Sequence, residues 1–276
     1  MHDPIALALA EDIGNGDVTA EFFVESRLGK ARLFVKEDAI AAGVETAAEV
    51  FRRVDSRTTA TIIRPSGSRL KVGDTVLEIE GLLPSLLSAE RVALNFLQHL
   101  SGIATLTSRF VAAVAGTKAR ILDTRKTVPC LRLLEKAAVV SGGGTNHRMG
   151  LYDMAMVKDN HLAAGTTSQQ LQSAIDRLRR EQPGVRVEME ADTLAQVSDF
   201  LAMRGIDVIL LDNMSLEEMR TAADLAASVS PEILLEASGG VTLETVTSIA
   251  ATGVDFVSVG ALTHSARAID FSMELL

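Results

Sequence analysis

The sequence predicts an α/β protein whose larger part is a barrel-like domain with fewer parallel strands than a full barrel. Three observations predict it. From about residue 103 onward, short apolar runs alternate with helix-like segments: RILDT (120–124), MAMVKDN (154–160), RVEMEA (186–191), DVILLDN (207–213), EILLEASGG (232–240) and DFVSVGA (255–261). Apolar strands alternating with helices mean parallel β built from βα units. Polar residues gather where each run stops, as they do at the functional face of α/β barrels. The chain has 276 residues, 47% apolar and 23% charged, long enough to bury a large core without disulfides. An open doubly wound sheet is the alternative reading.

The elements follow in order. Ile5–Glu11 reads as a short helix and Asp12–Thr19 as a Gly/Asp-rich loop. Residues 31–35 and 60–63 are strand-like, and RPSGSRLKVGDTVLEIEG (64–81) reads as antiparallel strands with tight turns. Ser88 is placed to cap a helix opening with Ala89-Glu90-Arg91. Leu94, Leu97 and Leu100 share one face of that helix, which should be buried. The change of rhythm sets a division into residues 1–102 and 103–265. In the second part, Ser215-Leu216-Glu217-Glu218 fits a capping box, and Thr242-Leu243-Glu244 is expected to open the helix after Ser238-Gly239-Gly240.

Charge narrows the function. The net charge is −9, which argues against a general nucleic-acid binder. The first residues carry acids and no Lys or Arg, unlike a secretory leader. No uncharged apolar stretch reaches about 18 residues, so no membrane span is expected and the cytoplasm is the expected compartment. Lone Cys130 excludes an internal disulfide framework and a Cys-rich zinc site, and reads as a structural thiol. Within residues 118–158, however, eight Lys/Arg face three acids. Arg132 and Lys136 suit a solvated helix face. Arg125-Lys126 and His147-Arg148 sit among Gly, Thr, Pro and Asn, and suggest a cationic cavity for a small polyanion.

The strand ends carry Asp123-Thr124-Arg125-Lys126, Lys158-Asp159-Asn160-His161, Glu190, Asp212-Asn213, Ser238-Gly239-Gly240 and Gly260. Cations and acids at successive strand ends point to a shared mouth. Ser238-Gly239-Gly240 between a strand and a helix has the form of a phosphate cradle, completed by Gly260. Glu190 and Asp212 are hard oxygen donors that could hold Mg²⁺ against a phosphate, or pair with the nearby cations. Glu188 and Glu190 alternate along their strand and project to one face. Arg forks and Lys point charges together suit a substrate with two carboxylates. Lys158 could instead form a Schiff base. No Walker A or strand-linked G-x-G-x-x-G motif occurs. Gly142-Gly143-Gly144 reads as a helix stop plus a flexible loop delivering His147 and Arg148.

LDTRKTVPCLRLLEKAAVVSGGGTNHRMGLYDMAMVKDNH (122–161) resembles the quinolinate phosphoribosyltransferase family. AEDIGNGDVTAE (10–21), AERVALNFLQHLSGIAT (89–105), VILLDNMS, LEASGGV and SVGALTHSA extend the resemblance over nearly the whole chain. A molybdenum-transport-associated paralogue of the same fold is a weaker match, since it lacks the Asn-His-Arg-Met-Gly run. The resemblance implies an incomplete TIM-like α/β barrel of about six to seven strands. An N-terminal α/β sandwich domain would be joined by tail 266–276. The implied reaction is transfer of a phosphoribosyl group from phosphoribosyl pyrophosphate to quinolinate, with loss of CO₂, giving nicotinate mononucleotide. By motif position Arg125, Lys126, His147, Arg148 and Lys158 would hold quinolinate, with Arg91 donated across a homodimer. Lys126, Lys158, Glu190 and Asp212 would surround the reacting atoms, with Mg²⁺ near Glu190 and Asp212. Ser238, Gly239, Gly240, Gly260 and His264 would bind phosphate. Three departures stand out: Val140-Ser141 replaces a usual Arg-Cys, Arg267 follows His264-Ser265-Ala266, and one extra residue falls near Met203-Arg204-Gly205.

Overall fold

A computed structural model of the chain describes residues 3–158 and 167–276. The chain divides into two compact units. The first comprises Met1–Ser108, Thr127–Gly144 and Leu262–Leu276, and the second comprises Arg109–Lys126 and Thr145–Ala261.

The first unit opens with helices α1 (Pro4–Ile13) and α2 (Val18–Phe23). Each is capped by an aspartate: Asp3 accepts from Ile5 and Ala6, and Asp17 from Thr19 and Ala20. Strands β1 (Leu28–Val35), β3 (Thr59–Ile62), β5 (Thr75–Leu82) and β12 (Phe271–Leu275) form an antiparallel sheet in the order β12-β1-β5-β3. Ala31, Leu33 and Val35 are fully buried while their neighbours are not, the alternation of a one-faced sheet. Helix α3 (Val44–Val54) packs on β3 and β5, and a short ribbon pairs β2 (Ala39–Ile40) with β4 (Arg69–Leu70). Strand β12 brings the C-terminal tail back onto β1.

Helix α4 runs from Leu83 to Ala113, so the expected start at Ser88 is corrected. The chain passes from β5 straight into the helix, and Pro84 suits its first turn because no N–H is needed there. The Ser88 hydroxyl lies within the helix, 3.0 Å from Pro84 O and 2.8 Å from Asp17 Oδ2. Leu94, Leu97 and Leu100 are buried as expected. Gly102 is required by a close approach: a Cβ there would lie 2.3 Å from Arg267 O. Helix α5 (Arg132–Ser141) ends at Gly142, and Gly142 and Gly144 are closely packed. A Cβ on Gly142 would meet Ala104 O at 2.4 Å, and one on Gly144 would meet Thr107 and Val139 at 2.8 Å. Tight packing explains Gly142 and Gly144, and the exposed Gly143 between them takes a left-handed φ of +87°. Cys130 is corrected too: it is exposed, in the left-handed region at φ +67°.

The second unit is built on six parallel strands: β6 (Arg120–Leu122), β7 (Met154–Val157), β8 (Arg186–Ala191), β9 (Val208–Asp212), β10 (Leu234–Ser238) and β11 (Phe256–Ser258). Their order is β6-β11-β10-β9-β8-β7. The first strand pairs with the last and the rest follow in sequence, which is a barrel's cyclic order opened between β6 and β7. A doubly wound sheet would reverse its order partway, and this one does not. An isolated bridge from Leu122 to Thr145 lies at the open seam. The interior positions of β8 and β9 are buried on both faces, as parallel strands under helices are. Helices α6 (Ser168–Glu181), α7 (Leu194–Leu201) and α8 (Leu216–Val229) each begin with a capping box, from Thr167/Gln170, Thr193/Gln196 and the expected Ser215/Glu218.

One expectation changes in this unit. The helix after Ser238-Gly239-Gly240 is α9 (Val246–Ala250), not one opening at Thr242. Thr242 and Thr245 form a turn first, in which the Thr242 N–H donates to Thr245 Oγ1. Met203-Arg204-Gly205 lies in the loop before β9, at the opposite end of that strand from Asp212. Gln172 and Arg179 pin that loop through Arg204 and Gly205. The last helix, α10, covers Ala261–His264. Among the described residues no helix is long and apolar enough to cross a membrane.

Candidate active site

A cavity of about 290 Å³ lies where the parallel strands end. Arg125, Lys126, Arg148 and Lys158 line it with positive charge, and Glu190 and Asp212 with carboxylates. Ser238 and Ser258 add hydroxyls. These residues come from the ends of all six strands or the loops just after them, except Arg148, which comes from the segment leading into β7, and this is why the sequence shows most of them as polar endings to apolar runs. Asp159, Asn160 and His161 lie outside the described residues.

The cations are held from several sides. Arg148 donates to Met154 O at 3.3 Å and lies 3.5 Å from Met156 Sδ. Burial, and then the neighbouring Arg125 charge, lower its affinity for its proton. Two guanidiniums in one half-buried site repel each other unless an anion neutralises them. Lys158 forms an ion pair with Glu190. Asp153 accepts from Met149 and Gly150 N–H at 2.6 and 2.9 Å, which fixes the loop that follows Arg148.

Below the cations is a buried polar layer. Asp123, fully buried at the end of β6, accepts the His147 N–H at 2.8 Å. His147 Nδ1 accepts the Arg148 N–H at 2.6 Å, so the ring proton belongs on Nε2 in the neutral tautomer. Nε2 lies 3.2 Å from Glu188 Oε2 and 3.5 Å from Glu236 Oε2. Burial, and then the adjacent Glu188 charge, push the Glu236 carboxyl well above the usual range. Glu188 and Glu190 both face inward, as their alternation predicts, but they differ in depth. Glu188 is fully buried beneath His147, and Glu190 lines the cavity beside Lys158. A second cavity, of about 220 Å³, reaches the starts of the strands at Arg120, Arg186 and Phe256. His147, Arg148 and Glu236 line both cavities.

Asp212 and Ser238 are register partners at the ends of β9 and β10. Gly239 and Gly240 follow with φ of +102° and +57°. Gly260 directly precedes α10. Arg91 is exposed on α4, and His264 Nδ1 lies 2.6 Å from Ser265 Oγ. Both belong to the first unit. Sequence reasoning missed Glu236. Its signal was an acid within the apolar run ILLEA, on the same strand face as Ser238.

A six-stranded parallel sheet with a barrel's order, bearing four cations and two carboxylates at its strand ends, defines an α/β barrel-type enzyme for small anionic substrates. The chain belongs to the quinolinate phosphoribosyl transferase family. It matches that family's N-terminal domain over residues 17–101 and its C-terminal domain over residues 103–274. A Synechocystis protein named a probable nicotinate-nucleotide pyrophosphorylase (carboxylating) is 42% identical, covering 97% of this chain and 90% of the relative. The Mycobacterium leprae nicotinate-nucleotide pyrophosphorylase (carboxylating) is 41% identical, with coverage of 99% and 96%. The structure of the Francisella tularensis nicotinate-nucleotide pyrophosphorylase superposes with a TM-score of 0.90 at 35% identity, covering 99% of this chain and 94% of that one.

Proposed function

We propose that this protein transfers a phosphoribosyl group from phosphoribosyl pyrophosphate to quinolinate, releasing pyrophosphate and CO₂ and forming nicotinate mononucleotide. The observation that carries this reading is the cavity in which Arg125, Lys126, Arg148 and Lys158 face the same space as Glu190 and Asp212. Four cations suit a dicarboxylate, and two carboxylates suit the ribose side, where positive charge develops at C1.

In this reading Arg125, Lys126, His147, Arg148 and Lys158 hold quinolinate, and Arg91 reaches in from the second subunit of a homodimer. Ser238, Gly239, Gly240, Gly260 and His264 bind phosphate. The pyridine nitrogen attacks C1 of the ribose as the bond to pyrophosphate breaks. The bond from C2 to its carboxylate then breaks, the electron pair remains at C2 beside the cationic nitrogen, and C2 takes up a proton. The protein's contribution is alignment and fixed charge, with no covalent intermediate on Lys158. Glu190 and Asp212 fit Mg²⁺, which takes one or two carboxylates and fills its shell with substrate oxygens and water. Bound there, Mg²⁺ would neutralise charge on the departing pyrophosphate. The enzyme acts in the cytoplasm.

The test is a reaction with purified protein, Mg²⁺, phosphoribosyl pyrophosphate and either quinolinate or nicotinate. We expect nicotinate mononucleotide and CO₂ in equal amounts from quinolinate. Turnover of nicotinate without CO₂, and none of quinolinate, would overturn the reading.

A further inference from the structure

The geometry points to Asn213 as a positioning residue that ties the Asp212 carboxylate to the Ser238-Gly239 turn. The inference rests on the proposed function, because it assigns this pair of strand ends to the phosphoribosyl pyrophosphate side of the cavity.

Four observations converge on Asn213. Its backbone is in the left-handed region at φ +53°, a conformation that asparagine tolerates better than most residues. Its N–H donates to Ser238 O at 2.9 Å, crossing from the end of β9 to the end of β10. Its side-chain Nδ2 donates to Asp212 Oδ2 at 2.8 Å. The opposite amide orientation would set two oxygens against each other, so hydrogen bonding fixes which end faces the carboxylate. The amide Oδ1 then lies over Gly239, where a Cβ would come within 2.1 Å of it.

These contacts make one unit of two features that the sequence presents separately. Asp212 is only half-buried at a strand end, and without a partner its carboxylate would be free to rotate. The Asn213 amide holds Oδ2 of a carboxylate that lines the cavity. Gly239 is held at φ +102° with no room for a side chain, because Asn213 occupies the space where one would go. The turn's backbone is therefore shaped by a residue on the neighbouring strand. A substrate that contacts both Asp212 and the turn would feel the loss of Asn213, and one that contacts only the cationic side would not.

Two variants test this. Asn213→Gly keeps the left-handed backbone and removes the side chain. Asn213→Asp keeps the size and replaces the donor with a second carboxylate. Steady-state KM for phosphoribosyl pyrophosphate and calorimetric Kd for quinolinate alone are measured with thermal melting. We expect KM for phosphoribosyl pyrophosphate to rise roughly tenfold or more in both variants, since a hydrogen bond to a charged group is lost. Quinolinate Kd should stay within about twofold, because its cations are untouched. An unchanged KM for phosphoribosyl pyrophosphate, or equal weakening of both ligands alongside a lowered Tm, would overturn the inference. Binding of Mg²⁺-pyrophosphate to wild type and variants is read in parallel. If wild type fails to turn over quinolinate, the proposed function fails, and the pyrophosphate comparison still decides the role of Asn213.

Discussion

Replacing Glu236 with Gln should make the protein more stable at neutral pH and leave it no more stable in acid. Glu236 is 2% exposed in the middle of β10, with Leu210 and Phe256 as its register partners. The charged and titratable groups around it are Glu188, His147 and Arg186. Burial and the Glu188 charge raise its proton affinity in the folded state, outweighing Arg186 and the Ser258 hydroxyl. The sign follows from linkage. The folded chain keeps the proton after the unfolded chain has lost it, so Glu236 contributes its full stability below the unfolded value. That contribution is lost as pH rises toward the folded value, at about 1.4 kcal/mol per pH unit. Between about pH 4.5 and 7.5 the loss is bounded at about 4 kcal/mol. Gln has nearly the same shape and carries no titratable proton, so it escapes the loss. Urea unfolding of wild type and Glu236→Gln across that range reads the difference directly. Stability curves that stay parallel across pH would refute the reasoning.

Three more expectations follow from particular contacts. Arg148→Ala should weaken quinolinate binding by roughly tenfold or more, the cost of removing one charged hydrogen-bonding partner; calorimetry showing an unchanged Kd would remove Arg148 from the site. Cys130→Gly should stabilise the protein by about 0.5–1 kcal/mol, because a left-handed backbone is costly for cysteine and nearly free for glycine, less the glycine's greater freedom when unfolded. A melting temperature equal to or below wild type would contradict it. Gly142→Ala should cost about 1–3 kcal/mol, since its Cβ would be forced against backbone; wild-type stability in denaturant would show that the helix junction can yield.

The strands were legible because each is an apolar run ending in polar residues, and β8 matches its sequence-predicted span of 186–191 at both ends. The cavity was legible for the same reason. Arg125, Lys126, Lys158, Glu190, Asp212 and Ser238 are strand-end residues, and chain order alone brings such residues to one face of a barrel, while Arg148 reaches the same cavity from the segment before β7. What stayed hidden depends on contacts between distant segments. Ser88 looks like a cap until β5 is seen to run directly into α4. Gly142 and Gly144 look like a flexible loop until Ala104 and Thr107 are found against them. His147 reads as a loop ligand, yet its ring is buried over Glu188 and Glu236, three residues that adjoin only across the sheet. Asn213 had no readable role, because its amide acts on Gly239 of the next strand.

A crystal structure of the protein with quinolinate tests the central claim most directly. The account predicts the dicarboxylate in the strand-end cavity, with its carboxylates against Arg125, Lys126, Arg148 and Lys158. Quinolinate bound elsewhere, with that cavity unchanged, would contradict it.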